Sequence, residues 1–474
     1  MGKFARVLAI DLGASSGRGI VFECDGERIR EQTVHRFANG AIECDGRLYW
    51  DLDALLRETV QAIRLADRTC GKLDSVGIDT WGVDFGLIGR DGMPIGNPRH
   101  YRDKAHASTR ARLQDRAAEL FRIAGICDND FNTTYQLIAR KREGTDFTAV
   151  RHLLFMPQLL GYLLTGKAAT EPTIASTSGL YTRAGGFDET FCAALGIPTH
   201  IFPETVETSS AIGCVKPEIA AQIGIAYDLP VIATAGHDTA CAVLGTPSSD
   251  AYPLFLSSGT WSLFGAIEER AILRDEARDA RYTNELAFDG KVRFLRNIMG
   301  MWIIQECRRQ WNAQGMDLDY PQIADMARQA RDCGARIDPD DPAFAFPCEM
   351  ADAVSEYVLA HQGIALQGIG AIARCVYESL ADAYGRAYLE LCRLTGRTYD
   401  RLYIVGGGSN NDDLNARIAD CLRIPVSAGP AEASALGNAL GQLVGLGRIE
   451  RSQIKRLVTQ NYEVKVFLPR EHCD

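Results

Sequence analysis

A strand, a tight turn rich in Gly, Ser and Thr, and a second strand occur together twice in this chain. The first copy is Asp11-Leu12-Gly13-Ala14-Ser15-Ser16-Gly17-Arg18, directly after the apolar run Val7-Leu8-Ala9-Ile10. The second is Ser257-Ser258-Gly259-Thr260-Trp261-Ser262-Leu263, directly after Leu254-Phe255-Leu256. Such turns offer backbone N–H groups and hydroxyls to an anion. A single copy reads equally well as a Gly-rich hairpin turn. Two copies, one in each half, point to a duplicated fold that closes two loops around one nucleotide, and so to phosphoryl transfer.

At 474 residues the chain has room for two or more domains, each with its own core. A formal charge of −10 leaves no basic excess to neutralise a nucleic-acid backbone, so nucleic acid is not an expected partner. The 14 cysteines are scattered and form no C-x-x-C pair, which favours reduced thiols over disulfides or zinc. The first residues, Met1 to Arg6, lack the apolar stretch of a signal peptide, and no membrane span is read. The expected compartment is the cytoplasm. The oligomeric state is left open, with a homodimer compatible.

Periodicity gives each half the same opening. Strands are expected at Val7–Asp11, Gly19–Glu23 and near Ile29–His35, then an amphipathic helix over Asp51–Arg68 and a buried strand at Val76–Asp79. In the second half, strands at Leu254–Ser257 and Trp261–Ile267 precede helices over Asn297–Gln310 and Ile369–Leu394. A strand at Arg401–Val405, a helix over Asp412–Leu422, a strand at Pro425–Ser427 and a helix over Glu432–Leu446 follow. The fold class is α/β, with mixed sheets under helical cover. Domains are expected at 1–248 and 249–450, with a peripheral tail at 451–474 carrying a strand at Val464–Leu468.

Four segments bear on chemistry. Asp11, at the end of a buried strand, suits Mg²⁺ held by oxygen ligands and water, while Ser15, Ser16 and Gly17 direct donors at phosphate and Arg18 adds a guanidinium. In Gly236-His237-Asp238-Thr239-Ala240, an apolar strand delivers Asp238 to a sheet edge, where it can accept the proton of a substrate hydroxyl. Taken alone, Asp238 reads more simply as the N-cap of the following helix. Gly406-Gly407-Gly408 lies between a strand and a helix, either as an adenosine platform or as a plain turn. Gly161 to Lys167 copies seven positions of a Walker loop, but Ala168 removes the Mg²⁺ hydroxyl, and the segment reads as continuing an apolar helix from Leu153 that stops at Gly166.

Together the segments resemble the FGGY family of sugar kinases, on the duplicated ribonuclease-H/actin-like ATPase fold. The resemblance also rests on Gly77-Ile78-Asp79-Thr80-Trp81-Gly82-Val83-Asp84-Phe85, Tyr101-Arg102-Asp103, Asn132 with Thr134 to Leu137, Asn297-Ile298-Met299-Gly300, and Ala428-Gly429-Pro430 with Glu432-Ala433-Ser434. It covers nearly the full chain. It implies two duplicated domains with a cleft between them and phosphorylation of a ketose at its 1-hydroxyl. The substrate it favours is L-rhamnulose, with L-fuculose, L-xylulose or a ribulose as alternatives. ATP and Mg²⁺ would be the cofactors, Asp11 the metal residue and Asp238 the proton acceptor. Gly82, His237, Asp238, Thr239 and Asn297 would line the sugar site. Ala14, Ser15, Ser16, Gly17, Arg18, Thr260, Gln305 and Gly407 would hold ATP. Gln305 and Asn297 take these roles from the resemblance alone. Asp130, Gln158 and Ser178 depart from the family's usual pattern and are the first candidates for altered specificity. The fold also serves actin-like ATPases, and a sugar sensor would keep the same residues.

Overall fold

A computed structural model describes residues 4–182 and 184–470. Strand Ala5–Leu12 is buried along almost its whole length. It pairs antiparallel with Ser16–Cys24 and parallel with Ser75–Thr80. The full sheet runs Ile29–Ala38, Ser16–Cys24, Ala5–Leu12, Ser75–Thr80, Pro230–Ala233, Ser210–Cys214. Helix Leu52–Cys70 connects the antiparallel strands to the parallel one. Asp51 caps it by accepting from the Ala54 N–H, and the chain leaves it through Gly71 at a φ of 83°.

The second sheet repeats the pattern. Leu254–Ser258 pairs antiparallel with Trp261–Glu268 and parallel with Leu402–Val405. Its order is Tyr282–Leu286, Val292–Met299, Trp261–Glu268, Leu254–Ser258, Leu402–Val405, Val426–Ala428, Lys465–Phe467. In both sheets a tight hairpin and a parallel neighbour flank one central buried strand, so the duplication read from the two turns extends to whole sheets.

The chain forms two compact units that do not follow one cut in sequence. The first runs through Gly245 and takes in Glu268–Phe294 and Ala433–Asn461; the second holds Thr246–Ile267, Leu295–Glu432 and the segment from Tyr462. Residues expected as one tail from 451 are thus shared between the units. The physical reason for the return is helix Ala433–Gly445, which packs on Ala5–Leu12, Ser75–Thr80 and helix Asp238–Leu244. A Cβ at Gly437 would fall inside the van der Waals radius of the Cys241 carbonyl, so only glycine permits that approach.

Two expected elements differ. Asn297 lies on strand Val292–Met299, and the helix begins only at Trp302 and runs to Ala313. Residues 292–295 are all buried, the continuous run of a strand covered on both faces. The Walker-like segment does follow a strand, Val150–Phe155. Gly161 nevertheless lies inside helix Met156–Thr165, which ends at Gly166 with a φ of 75°, so no phosphate loop forms there.

Candidate active site

Three carboxylates converge at the ends of neighbouring strands in the first unit. Asp11 and Asp79 are register partners on Ala5–Leu12 and Ser75–Thr80. Asp238 follows the next strand, and the Thr80 N–H donates to the Gly236 carbonyl at 2.9 Å, which fixes that turn beside them. Asp11 is buried and pairs with Arg18, whose Nη2 stands 2.8 Å from Oδ2. The guanidinium assigned to phosphate from sequence therefore already holds the carboxylate expected to serve the metal. Asp79 accepts from Asn438 Nδ2 at 2.6 Å, while its Oδ1 is buried with no hydrogen-bond partner among the described residues. Burial first, then the charges of Asp11 and Asp238, push the Asp79 carboxyl well above the usual range.

Asp238 is the first residue of helix Asp238–Leu244, and His237 occupies the N-cap position. The Asp238 side chain is thus not the cap. Its Oδ1 accepts from Thr239 Oγ1 at 3.1 Å and lies 3.4 Å from His237 Nε2. The side chain keeps 28% of its surface exposed, in contrast to the closed Asp11 and Asp79.

Gly82 belongs to the same neighbourhood. A Cβ there would stand 3.2 Å from His237 Nε2 and 3.3 Å from Thr177. The next residue, Val83, has a φ of 67°, a costly conformation for a β-branched side chain. Two hydroxyls hold it: Thr177 Oγ1 accepts from the Val83 N–H at 3.0 Å, and Thr133 Oγ1 donates to its carbonyl at 2.6 Å. Asp84 is then buried against four donors, Trp50 Nε1, Trp81 Nε1, Gln136 Nε2 and the Tyr101 N–H. Burial raises its carboxyl to about 7 against the pull of those donors.

Several residues of this site escaped the sequence reading. Glu171 is fully buried and accepts from the N–H groups of Thr173, Ile174 and Gly236, so it anchors the turn before His237. Gln158, named in the sequence for its departure from pattern and not for this contact, is buried and lies against Gly236 as well. Glu285 and Arg293 flank His237. A lone Glu or Arg in a strand-like stretch carries no signal of such a partner. Of the three residues singled out for departing from pattern, Gln158 and Ser178 are buried in this region, whereas Asp130 is exposed and pairs with Arg110 at 3.0 Å.

The second unit holds the other loop. Thr260 Oγ1 donates to Gln305 Oε1 at 3.3 Å, and the N–H groups of Gly300 and Trp302 both donate to the Thr260 carbonyl. Residues 300–302 thus bring the helix bearing Gln305 onto the loop. Gly408 packs so tightly on Ser258 that a Cβ would overlap its side chain, while at Gly407 a Cβ meets nothing within 4 Å. The structure brings Gly82, His237, Asp238 and Thr239 together in the first unit and Thr260 with Gln305 in the second, where Asn297 also lies. Residues 14–18 form the turn and first part of Ser16–Cys24, with the Gly13 N–H donating to the Ser16 carbonyl at 2.9 Å.

No cluster of three His, Cys, Asp or Glu side chains close enough to cage a metal occurs among the described residues. Asp11 and the unpartnered Oδ1 of Asp79 fit Mg²⁺ in another way. That ion is usually bound through one or two carboxylates, with phosphate and water completing the shell.

The family follows from comparison with known proteins. The model of the FGGY family of carbohydrate kinases, N-terminal domain, matches residues 6–245, and that of the C-terminal domain matches 254–446. A rhamnulokinase of Bacteroides thetaiotaomicron is 36% identical over 468 residues, covering 98% of this chain and 96% of that protein. A rhamnulokinase of Halalkalibacterium halodurans is 36% identical over 468 residues, covering 97% and 98%. Among solved structures, ligand-bound xylulose kinase from Lactobacillus acidophilus aligns with a TM-score of 0.80 at 17% identity, covering 98% of this chain and 94% of that one. Plasmodium falciparum glycerol kinase with ADP aligns with a TM-score of 0.77 at 16% identity, again covering 98% and 94%. The chain belongs to the FGGY family of carbohydrate kinases and has the two-domain, actin-like ATPase fold expected from its two phosphate loops. It is a carbohydrate kinase, and ATP with Mg²⁺ is the cofactor set of that family. No helix among the described residues is long and apolar enough to cross a membrane.

Proposed function

We propose that this kinase transfers the γ-phosphoryl group of ATP to the 1-hydroxyl of L-rhamnulose, giving L-rhamnulose 1-phosphate and ADP. The sugar is chosen on the full-length relatives named rhamnulokinase. The chemistry rests on one observation: Asp238 is partly exposed, with Oδ1 accepting from Thr239 and standing 3.4 Å from His237 Nε2.

In this reading Asp238 Oδ2 takes the proton of the 1-hydroxyl as its oxygen bonds to phosphorus and the bond to ADP breaks. Gly82, His237 and Thr239 line the sugar, with Asn297 as a further contact. Thr260, Gln305 and Gly407 hold the nucleotide. Ala14, Ser15, Ser16 and Gly17 turn donors toward its phosphates, and Arg18 acts chiefly by orienting Asp11. Asp11, with Asp79 behind it, would hold Mg²⁺, which when bound neutralises charge on the transferred group. Positioning and charge stabilisation supply most of the rate. We place the reaction in the cytoplasm, where ATP and reduced thiols coexist.

The test is ADP release with Mg-ATP across L-rhamnulose, L-fuculose, L-xylulose, L-ribulose, D-ribulose and D-xylulose. Selective turnover of L-rhamnulose is expected. Preference for another ketose would keep the base and discard the sugar, with Gln158 and Ser178 the first positions to exchange. ATP binding without ketose turnover would discard the reading in favour of a sensor or an actin-like ATPase.

A further inference from the structure

His237 Nδ1 lies 3.0 Å from Arg293 Nη2 and 3.2 Å from Glu285 Oε2, and these two groups pair with each other at 3.1 Å. Arg293 is completely buried and Glu285 nearly so. Burial acts to raise the Glu285 carboxyl, but the Arg293 guanidinium beside it outweighs burial and holds it below the usual range. The geometry around Nδ1 decides where the ring proton sits. A guanidinium has donors only and does not give up its proton in proteins. The 3.0 Å contact therefore requires Nδ1 to accept. Glu285 Oε2, although within ion-pair distance, makes no aligned hydrogen bond. The ring proton is thus assigned to Nε2. On that side stands Asp238 Oδ1 at 3.4 Å, the same oxygen that accepts from Thr239.

We propose that the buried Arg293–Glu285 pair is a positioning device for the base: Arg293 locks His237 as its Nε2–H tautomer, and that proton faces Asp238 Oδ1, which also accepts from Thr239, so that Oδ2 is the oxygen that meets the substrate hydroxyl. Glu285 acts one step further back, as the counter-charge that lets a guanidinium remain buried beside a ring nitrogen. Neither residue touches the reacting atoms. The assignment of the base rests on the function proposed above; the tautomer does not.

Two readouts separate those claims. In the full-length protein with ¹⁵N-labelled histidine, the His237 signal, identified by its loss in His237→Gln, should show a protonated Nε2 and an unprotonated Nδ1. Arg293→Met should move the proton to Nδ1, beside Glu285. It should also lower ketose turnover by about 10- to 100-fold, part of what a general base contributes. Adding Glu285→Gln to Arg293→Met places an amide donor beside Nδ1. It should restore the Nε2–H signal and recover turnover in part, a rescue that a purely structural role does not give. A wild-type His237 with its proton on Nδ1 or on both nitrogens overturns the proposal without any variant. So does a folded double variant in which neither tautomer nor turnover recovers. The expected tautomer in a protein that turns over no ketose would uphold the Arg293 lock and overturn Asp238 as the base.

Discussion

Asn438 donates its side-chain amide to Asp79 at 2.6 Å and so ties helix Ala433–Gly445 to the end of strand Ser75–Thr80. Gln442, one turn further along the helix, donates to Asn438 Oδ1 at 2.7 Å and to the Leu8 carbonyl at 2.9 Å. The helix thus supplies polar partners beneath the strand ends that carry Asp11 and Asp79. Asn438→Ala would leave the Asp79 carboxyl without its donor in a fully buried place. The expected cost is about 1–3 kcal/mol. A lowered urea midpoint with an unchanged slope is the measurement, and an unchanged midpoint would show that the bond contributes nothing net.

Asp238→Asn keeps the shape of the side chain and its place at the start of the helix, but not its basicity. Turnover should fall by at least ~100-fold, while nucleotide affinity by calorimetry stays near that of the parent. Turnover within a few-fold of the parent would remove Asp238 from the role of base.

Gly407 and Gly408 are adjacent and should respond differently. Gly408→Ala forces a methyl group into Ser258, so its melting temperature should drop sharply. Gly407→Ala meets open space, so its melting temperature should hold while nucleotide affinity weakens. Equal nucleotide affinity in Gly407→Ala and the parent would take Gly407 out of the nucleotide site.

Asp84 gives a dependence on pH. Burial raises its carboxyl from an ordinary 3.8 to about 7 in the folded chain. Its contribution to stability is therefore fully present below the unfolded value and is lost as pH rises through the folded one. Asp84→Asn has no such titration. The melting temperature of the variant relative to the parent should climb between about pH 4 and about pH 7, and a constant difference would refute the assignment.

What the sequence made legible was local. Asp11 ends an apolar run and precedes a turn, and Asp238 follows the apolar run ending at Ala235 and opens the next helix, so both positions are legible from neighbours in the chain. Helix Asp412–Leu422 was bounded correctly because Leu414, Ile418 and Leu422 recur every fourth residue and Asn411 caps it. The Asn297 segment reads as a helix in the sequence because its mixture of apolar and polar residues fits a strand or a helix of similar length, and the partner strand that decides between them is Trp261–Glu268. The least legible contacts join distant residues: Asn438 with Asp79, Arg293 with His237, Glu171 with Gly236. Pairing of that kind has no period and no spacing, and only the folded chain displays it.

The return of helix Ala433–Gly445 to the first unit bears on how the protein is made. Strand Ala5–Leu12 leaves the ribosome long before Gln442, which donates to the Leu8 carbonyl and accepts from the Ser75 hydroxyl. A nascent chain that stops after Gly245 has every strand of the first sheet but lacks the helix that covers Ala5–Leu12 and Ser75–Thr80. That face stays uncovered until helix Ala433–Gly445 has been synthesised. Completion of the carboxylate-bearing unit is thereby coupled to synthesis of Thr246–Ile267 and Leu295–Glu432 of the other unit, which precede the helix in sequence.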